Sequence, residues 1–403
     1  MHRLVQGDVG SGKTLVAALS CLPCLSNHGQ VALMAPTELL AEQLFQNFNR
    51  WFEPLGIDVM LLLGKHTAKQ KREKLSQLLE EKAQIIIGTH ALFQQDVNFA
   101  NLQLIIIDEQ HRFGVKQRLA LQEKGCKNYL WPHQLIMTAT PIPRTLAMIQ
   151  YTQLDVSLID ELPPGRTPIQ TAVLDGSKRE QIVTRLQTAF TEKKQAYWVC
   201  TLIEESETLQ CQAAEETHRV LSIALAPHKV GLVHGRMKGK DKLAAMQAFS
   251  NHELDLLVAT TVIEVGVDVP NASLMIIENA ERLGLSQLHQ LRGRVGRGSE
   301  QSYCVLLYQK PLSRNSKARL QAIRSSTDGF VIADEDLKLR GSGEIVGTKQ
   351  TGLIHMKVAN FEHHHGLLKL IPFLSEKLCQ QFPKNIEPLI KRWLADGERY
   401  LNS

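Results

Sequence analysis

The sequence predicts an α/β protein with two parallel-sheet lobes in tandem, followed by a C-terminal helical hairpin and a helical tail. Short, nearly continuous apolar runs alternate with longer amphipathic runs, and this series occurs twice along the chain. The alternation is typical of a parallel sheet covered by helices on both faces. A length of 403 residues also exceeds what one hydrophobic core usually supports. Between the two series, residues 161–168 form a linker whose prolines cannot continue a helix or a central strand.

The first lobe, residues 1–160, is predicted to contain five strands with helices between them. Its short apolar runs predict strands at 3–6, 31–35, 85–88, 104–107 and 134–138. Amphipathic and charged segments predict helices at 14–19, 38–52 and 69–82.

The second lobe, residues 169–312, repeats the alternation. Its predicted strands are 169–174, 196–201, 230–234, 256–260, 274–277 and 303–308, and its predicted helices are 178–193, 205–225, 240–249 and 286–292. The hairpin follows at 313–352 and the helical tail at 353–403. Apolar residues of the tail recur at helical spacing, at Leu367, Leu370, Ile371, Leu374 and Leu378. We expect this face to pack against a lobe, with the docking of a partner as the alternative.

The composition favours a soluble, globular protein. Hydrophobic residues make up 43% of the chain and charged residues 22%, and the net charge of +5 permits a nucleic-acid partner without demonstrating one. The apolar runs are too short to span a bilayer and the first residues lack a secretory segment, so we expect a cytoplasmic protein with no membrane contact. Seven cysteines suggest free thiols, and the lone pair Cys21 and Cys24 is expected to be structural rather than a zinc or redox site.

A glycine-rich loop follows the first predicted strand and precedes the first predicted helix. Its sequence is Gly7-Asp8-Val9-Gly10-Ser11-Gly12-Lys13-Thr14. Backbone N–H groups of such a loop form an anion cradle, and the helix directs the positive end of its dipole at phosphates. Lys13 is expected to reach the β- and γ-phosphates, and the Thr14 hydroxyl to ligate Mg²⁺. The loop predicts a nucleoside triphosphate site, and the alternative is a chance match in a loop rich in glycine and serine.

Two carboxylates end the apolar strand at 104–107. Asp108 and Glu109 follow it directly, and ligand sites in open α/β sheets form at this edge of the sheet. We assign Asp108 to Mg²⁺ and Glu109 to the water that attacks the γ-phosphate. An ordinary solvated turn is the alternative for such a pair taken alone, but the phosphate-binding loop upstream favours the catalytic interpretation.

The second lobe supplies cations that the first lobe lacks. The segment 290–297 contains Gln290, Arg294 and Arg297, and the two arginines share one face of a helical turn. A guanidinium pairs with phosphate oxygens in a fixed geometry and stays charged in a closed cleft, so we assign these residues to catalysis. The alternative is a basic surface patch that binds nucleic acid directly.

Polar residues also follow several other predicted strands. Hydroxyls and helix ends at such positions suit the phosphate oxygens of a polynucleotide, whereas the alternative is a set of capped turns. We assign nucleic-acid binding to Pro36, Thr37, Thr89, His90, Arg144, His234, Arg236, Thr260 and Thr261. Gly266 and Asp268 are assigned to the nucleotide, while Thr138 and Thr140 are expected to couple hydrolysis to lobe movement.

These motifs resemble those of superfamily 2 helicases, and most closely those of the RecG family of branched-DNA translocases. The similar segments are 7–14, 108–115, 138–146, 329–333, 336–343 and 347–352. The last three resemble the translocation motif that this family shares with the transcription-repair coupling factor. The resemblance implies that Arg340 and Gln350 couple lobe closure to movement on DNA, with His111 also a coupling residue.

The resemblance also implies two RecA-like lobes, with ATP and Mg²⁺ as cofactors. The implied activity is ATP-driven translocation on double-stranded DNA, which remodels stalled forks and Holliday junctions in recombination and repair. A monomeric state, a place near the bacterial nucleoid and contact with single-stranded DNA-binding protein are further implications.

Two departures from the RecG family pattern leave alternatives open. The family carries an N-terminal wedge domain and an adenine-recognition segment before the phosphate-binding loop, whereas this sequence starts at the first strand. We expect a truncated product, a mis-assigned start or an excised fragment. The rival interpretations are a motor fragment of a transcription-repair coupling factor and a DNA-binding remnant without ATPase activity. Gln110 stands where the coupling factor usually has another acid, and the segment after the hairpin is too short for its extra terminal domain.

Overall fold

The first lobe is built on a parallel sheet of seven strands in the order β3-β4-β2-β5-β6-β1-β7. The computed structural model describes residues 1–80, 82–109, 113–127, 130–139, 154–161, 167–201, 207–261, 269, 271–296, 298, 301–345, 367 and 370–393. The strands are β1 His2–Gly7, β2 Gln30–Met34, β3 Val59–Leu62, β4 Ile85–Gly88, β5 Leu102–Asp108, β6 His133–Thr138 and β7 Asp155–Ile159. The helices described in this lobe are α1 Lys13–Ser26, α2 Glu38–Phe52, α3 Ala68–Leu79 and α4 Val115–Gly125.

The second lobe is built on a parallel sheet of six strands in the order β10-β11-β9-β12-β13-β8. These strands are β8 Gln170–Asp175, β9 Gln195–Val199, β10 Val230–Val233, β11 Leu256–Ala259, β12 Ala272–Ile277 and β13 Tyr303–Tyr308. Its described helices are α5 Arg179–Thr191, α6 Glu207–Ala224, α7 Gly239–Ser250 and α8 Leu285–Arg292. The order matches that of β3-β4-β2-β5-β6-β1, so the two lobes repeat one topology.

Each sheet is buried on both faces, as the apolar runs of the strands predict. Strands β4 and β11 are buried along their whole length. The first sheet separates two apolar clusters, which contain Ile87 on one face and Ile86 on the other. Two strands were not predicted, β3 and β7, and both lie at the edges of the first sheet. An edge strand is paired on one side only, and β7 is correspondingly exposed or half-buried, so its sequence lacks a continuous apolar run.

Among the described residues, four further helices follow the second sheet: α9 Arg314–Ser325, α10 Gly329–Ile345, α11 Ile371–Gln381 and α12 Ile386–Trp393. Leu320, Ile323 and Ile332 on α9 and α10 join the apolar core of the second lobe. The expectation that the apolar face of the tail packs against a lobe was wrong, because Leu367, Leu370 and Leu374 are at least half exposed. None of the helices in the described ranges is long and apolar enough to cross a bilayer.

Cys21 and Cys24 of α1 lie in the environment expected of structural cysteines. All cysteines of the chain lie in the described residues as free thiols, and Cys21 and Cys24 are buried. Burial raises the pKa of both thiols, that of Cys24 to about 11. A thiol with a raised pKa is a poor nucleophile and a poor metal ligand at neutral pH.

A buried glutamine is the first residue of the corresponding inner strand in each lobe. The Nε2 atom of Gln30 donates to the carbonyl oxygens of Leu78 and Ala83 at 2.8 and 3.0 Å. In the second lobe, Nε2 of Gln195 donates to the carbonyl oxygens of Phe249 and Leu254 at 2.7 Å. Each amide thus fixes the end of the helix that precedes the neighbouring strand.

Replacing this amide in the second lobe is expected to destabilise the protein. Gln195→Leu leaves two carbonyl oxygens without their donor, and we expect the free energy of unfolding to fall by about 2 kcal/mol. Denaturant unfolding followed by circular dichroism measures the loss. Gln187→Leu, at an exposed glutamine that bonds one carbonyl oxygen, is the control and should change it by at most about 0.5 kcal/mol. Equal effects of the two variants would contradict the role of Gln195.

Candidate active site

The phosphate-binding loop joins β1 to α1 in a conformation that only glycine adopts easily at two positions. The φ angles of Gly10 and Gly12 are 79° and 91°, in the left-handed region. A Cβ atom at Gly7 would lie 2.5 Å from Oγ of Ser11, so this position is also closed to larger residues. Among the described residues, no side chain caps the amino end of α1. No side-chain cap therefore competes with an anion for the amino end of this helix.

Lys13 is held over the concave side of this loop. Its Nζ atom donates to the carbonyl oxygens of Gly7 and Asp8 at 2.9 and 2.7 Å, and the residue is 9% exposed. The Oγ atom of Ser11 is buried and has no hydrogen-bond partner among the described residues. A buried hydroxyl in this state is suited to a phosphate oxygen. The loop therefore fits a nucleoside triphosphate, with Thr14 half-buried in the first turn of α1.

The two carboxylates lie at the carboxyl end of β5, beside the end of β6. Glu109 has a φ of 52°, unusual for a residue other than glycine and typical of strained functional sites. Its backbone N–H donates to the Met137 carbonyl oxygen at 3.0 Å. Its carboxylate accepts from the Ala139 N–H at 3.2 Å and from the Thr138 hydroxyl at 3.4 Å. The predicted coupling residue Thr138 thus contacts the predicted catalytic acid directly.

The electrostatics around Asp108 indicate a site that needs a further cation. Burial raises the pKa of the Asp108 carboxyl to about 7, and the neighbouring Glu109 carboxylate adds to the rise. The charges of Lys13 and Arg294 act in the opposite direction and lower this pKa. A divalent cation would keep the Asp108 carboxylate ionised. One or two carboxylates with substrate phosphates are the usual ligands of Mg²⁺, so Asp108 and Thr14 fit that ion.

The second lobe contacts the phosphate-binding loop through α8 and the residues that follow it. The Nε2 atom of His289 lies 2.9 Å from Oδ1 of Asp8. A Cβ atom at Gly293 would lie 2.9 Å from the Val9 side chain, so the backbone of one lobe touches the loop of the other. Gln290 is 9% exposed in the same helix. The described part of segment 290–297 therefore lies against the phosphate-binding loop, and its catalytic role stays a prediction.

His289 and Arg292 were not among the predicted site residues. One Nη atom of Arg292 donates to the carbonyl oxygens of Ile323 and Ser326 at 2.8 Å. The other donates to the Thr327 carbonyl oxygen at 3.2 Å and to Nδ1 of His289 at 3.0 Å. Because a guanidinium cannot accept a hydrogen bond, Nδ1 is the acceptor, and Nε2 carries the proton that is donated to Asp8. Polar contacts thus run from the phosphate-binding loop to the junction of α9 and α10.

Predicted nucleic-acid residues lie at the carboxyl ends of strands in both lobes. Thr37 caps α2, since its Oγ1 atom accepts from the Leu40 N–H at 3.3 Å, which fits the alternative of a capped turn. Thr89, Thr260 and His234 are buried. Pro36 and Thr261 are half-buried, and His90 and Arg236 are exposed. The last two present their side chains to solvent, as contact with DNA would require.

Several predicted residues lie outside the described part of the chain. They are His111, Thr140, Arg144, Gly266, Asp268, Arg297 and Gln350. Arg340 belongs to α10, but its side chain is also outside the description. Their assigned roles stay predictions.

Two parallel-sheet lobes that meet at a phosphate-binding loop define the motor of a superfamily 2 helicase. The DEAD/DEAH box helicase family matches residues 2–149, and the helicase conserved C-terminal domain matches residues 180–299. A structure titled "S. cerevisiae Dbp5 bound to RNA and ADP BeF3" has a TM-score of 0.61 at 17% identity, and covers 82% of this chain and 83% of that chain. At this identity the likeness shows the fold alone.

Along its whole length the chain matches proteins named ATP-dependent DNA helicase RecG. Residues 326–393 match the C-terminal part of RecG domain 3. The ATP-dependent DNA helicase RecG of Haemophilus influenzae is 60% identical over this whole chain, and that of Escherichia coli K12 is 58% identical. A structure of RecG bound to a three-way DNA junction has a TM-score of 0.72 at 43% identity, covering 92% of this chain and 47% of that chain. The chain spans 58% of the length of both bacterial relatives.

Proposed function

We propose that this chain is the ATP-hydrolysing motor of a RecG-type translocase that moves on double-stranded DNA and remodels branched DNA. Stalled replication forks and Holliday junctions are the proposed substrates. The observation that carries the proposal is the convergence of Lys13, Asp108, Glu109 and Arg294 where the two lobes meet. The relative that is bound to a three-way DNA junction supports the choice of substrate.

The proposed chemistry assigns one task to each residue of the site. Lys13 exchanges its two carbonyl partners for the phosphates of ATP. Thr14 and Asp108 would hold Mg²⁺, and the bound ion would supply positive charge to the phosphates. Glu109, held by Thr138 and Ala139, orients and deprotonates the attacking water. Arg294 stabilises the charge on the transferred phosphate from the second lobe, together with Arg297.

Lobe closure is the proposed link between hydrolysis and movement. Residues His289 and Gly293 of the second lobe lie against the phosphate-binding loop, so ATP binding would hold the cleft closed, and hydrolysis with product release would let it open. The contact of Thr138 with Glu109 gives β6 a direct connection to the acid that activates water. The roles of Arg340 and Gln350 in transmitting this movement to DNA are part of the proposal and rest on the family resemblance.

The test is the rate of ATP hydrolysis without DNA, with linear duplex and with a three-way junction. We expect hydrolysis to require Mg²⁺ and to rise when duplex or junction DNA is added. No hydrolysis under any condition would favour the DNA-binding remnant. Binding to RNA polymerase would instead favour the transcription-repair coupling factor, although the match to RecG domain 3 speaks against it.

The remaining implications of the family are proposals of smaller scope. The bacterial origin of the relatives supports a place on the nucleoid in the cytoplasm. Contact with single-stranded DNA-binding protein and a monomeric state stay predictions. The predicted boundaries between the lobes, linker, hairpin and tail, after residues 160, 168, 312 and 352, also stay predictions.

A further inference from the structure

The matching topology makes two surface loops equivalent, one in each lobe. Strand β3 is an edge strand of the first sheet, and β10 is the edge strand at the same end of the second sheet. In the first sheet, Leu62 pairs with Gly88, which pairs with Met34. In the second sheet, Val233 pairs with Ala259, which pairs with Val199. Leu62 and Val233 therefore occupy the same place, and the residues that follow them correspond one to one.

Both loops lead into helices of the same length at the same position. The N-cap of α3 is Thr67 and that of α7 is Lys238, each five residues after the aligned strand residue. Both helices contain 12 residues. The correspondence between the loops therefore contains no insertion or deletion.

This correspondence pairs a basic pattern in one loop with the same pattern in the other. Gly64 corresponds to Gly235, Lys65 to Arg236, Lys69 to Lys240 and Lys71 to Lys242. The sequences around these positions otherwise differ, since Gly64-Lys65-His66-Thr67-Ala68-Lys69 corresponds to Gly235-Arg236-Met237-Lys238-Gly239-Lys240.

The matched cations of each loop divide into one inner and two outer residues, while Lys238 corresponds to Thr67 and is not matched. Lys71 is the inner cation of the first lobe and pairs with Asp96 at 2.6 Å and with the Gln94 amide oxygen at 2.7 Å. Its counterpart Lys242 donates to the Gly235 carbonyl oxygen. These two lysines hold the local structure together. The outer cations, Lys65 and Lys69 in one lobe and Arg236 and Lys240 in the other, are exposed.

Lys65 already forms ion pairs with carboxylates of the same lobe. A DNA phosphate would have to replace these carboxylates. Its Nζ atom lies 2.6 Å from a Glu42 oxygen and 3.7 Å from a Glu38 oxygen. The Lys65 side chain is 51% exposed and that of Glu42 19%, so solvent still reaches the ammonium group of this ion pair. A phosphate that approaches from solvent can therefore contact Lys65 in exchange for the carboxylates.

Lysines at a sheet edge also serve to prevent unwanted strand pairing, which is the plainer explanation of the pattern. That function places lysine on the edge strand itself. Here the outer cations lie beyond the strand, at the carboxyl edge of the sheet where α/β proteins bind ligands. In the first lobe a Cβ atom at Gly64 would come within 3.3 Å of Nε2 of His90. The loop therefore adjoins the exposed histidine already assigned to DNA.

We propose that Lys65 and Lys69 form a DNA-backbone contact on the first lobe, the counterpart of Arg236 and Lys240 on the second. Each lobe would then contact the phosphodiester backbone through two cations at the same position of its fold. The inference rests on the proposed DNA translocase function and adds to it a specific pair of contacts. Two equivalent grips on lobes that open and close would allow one lobe to hold while the other moves.

The test compares the salt dependence of duplex binding among four double variants of the 403-residue chain. Lys65→Ala/Lys69→Ala and Arg236→Ala/Lys240→Ala each remove two proposed phosphate contacts. The slope of log affinity against log salt should become shallower by about 2 in each variant. The loss should be the same for unrelated duplex sequences, because the backbone carries no sequence information. Fluorescence anisotropy between about 50 and 200 mM salt measures the slopes.

The matched control is Lys82→Ala/Lys193→Ala, one exposed lysine from each lobe beside the amino ends of strands. It has the same change in charge and should keep the original slope. Lys65→Arg/Lys69→Arg should also keep it, and the lysine control should hydrolyse ATP without DNA at the rate of the unmodified chain.

The outcomes separate the inference from the proposed function. A chain that does not bind duplex DNA at all would overturn both. Normal binding with an unchanged slope in Lys65→Ala/Lys69→Ala would overturn the inference alone. Equal losses in this variant and in the lysine control would also overturn it, because the effect would then come from net charge.

Discussion

Glu109→Gln is expected to lower ATP turnover by a factor on the order of a hundred or more while leaving nucleotide affinity nearly unchanged. The amide has nearly the size of the carboxylate and can still accept from the Ala139 N–H, so the loop geometry is retained. It cannot take a proton from the attacking water. Steady-state phosphate release measures the turnover, and titration with a fluorescent ATP analogue measures the affinity.

Lys13→Ala should, in contrast, lower nucleotide affinity. The ammonium group lies over the loop and supplies charge to the phosphates in the ground state, so its loss weakens nucleotide binding first. Glu123→Gln on α4, at an exposed carboxylate away from the strand end, is the control and should behave as the unmodified chain. Undiminished turnover in both Lys13→Ala and Glu109→Gln would contradict the assignment of the site.

The nucleotide site could be predicted largely from sequence because its chemistry is local. Residues 7–14 form one loop, and Asp108 and Glu109 stand together at the end of one strand. Residues that are adjacent in the sequence are therefore also adjacent in the site. The hydrogen bonds that position Glu109 come instead from β6, almost thirty residues further along the chain. Their existence follows from the pairing of β5 with β6, which the apolar runs indicate but whose register they do not fix.

Functions of polar residues at strand ends were harder to predict, because the same residue type serves different tasks. Thr37 follows a strand and was assigned to DNA, yet its hydroxyl caps α2. Thr89 and Thr260 are also threonines after strands, but they are buried. Burial depends on how neighbouring loops cover a residue, and a single sequence does not specify that packing.

The equivalence of Lys65 and Arg236 could not be predicted from the sequence either. The two loops share few letters, and no repeat is visible in the sequence between 64–71 and 235–242 beyond widely spaced basic residues. Only the strand order and the register place both loops at the same position in their sheets. The pattern therefore has meaning only once the topology is known.

Arg292 is expected to have the largest effect on stability. It is 2% exposed and donates to three carbonyl oxygens and to His289, so Arg292→Leu leaves several buried acceptors without a donor. We expect the free energy of unfolding to fall by about 3–5 kcal/mol, the usual cost of removing one partner from a buried charged network. Denaturant unfolding measures this loss. Arg324→Leu, at an exposed arginine of α9, is the control and should change it by at most about 0.5 kcal/mol.

A second measurement distinguishes a merely structural arginine from one that connects the lobes. Arg292 holds Nδ1 of His289, and this fixes the tautomer whose Nε2 donates to Asp8. Removing His289 after Arg292 should then cost less than removing it from the unmodified chain. We expect the losses of Arg292→Lys and His289→Ala to be non-additive by about 1 kcal/mol in a double-variant cycle. Additive losses would show that the contact with Asp8 is independent of Arg292, and the polar link from the nucleotide loop to α10 would then end at His289.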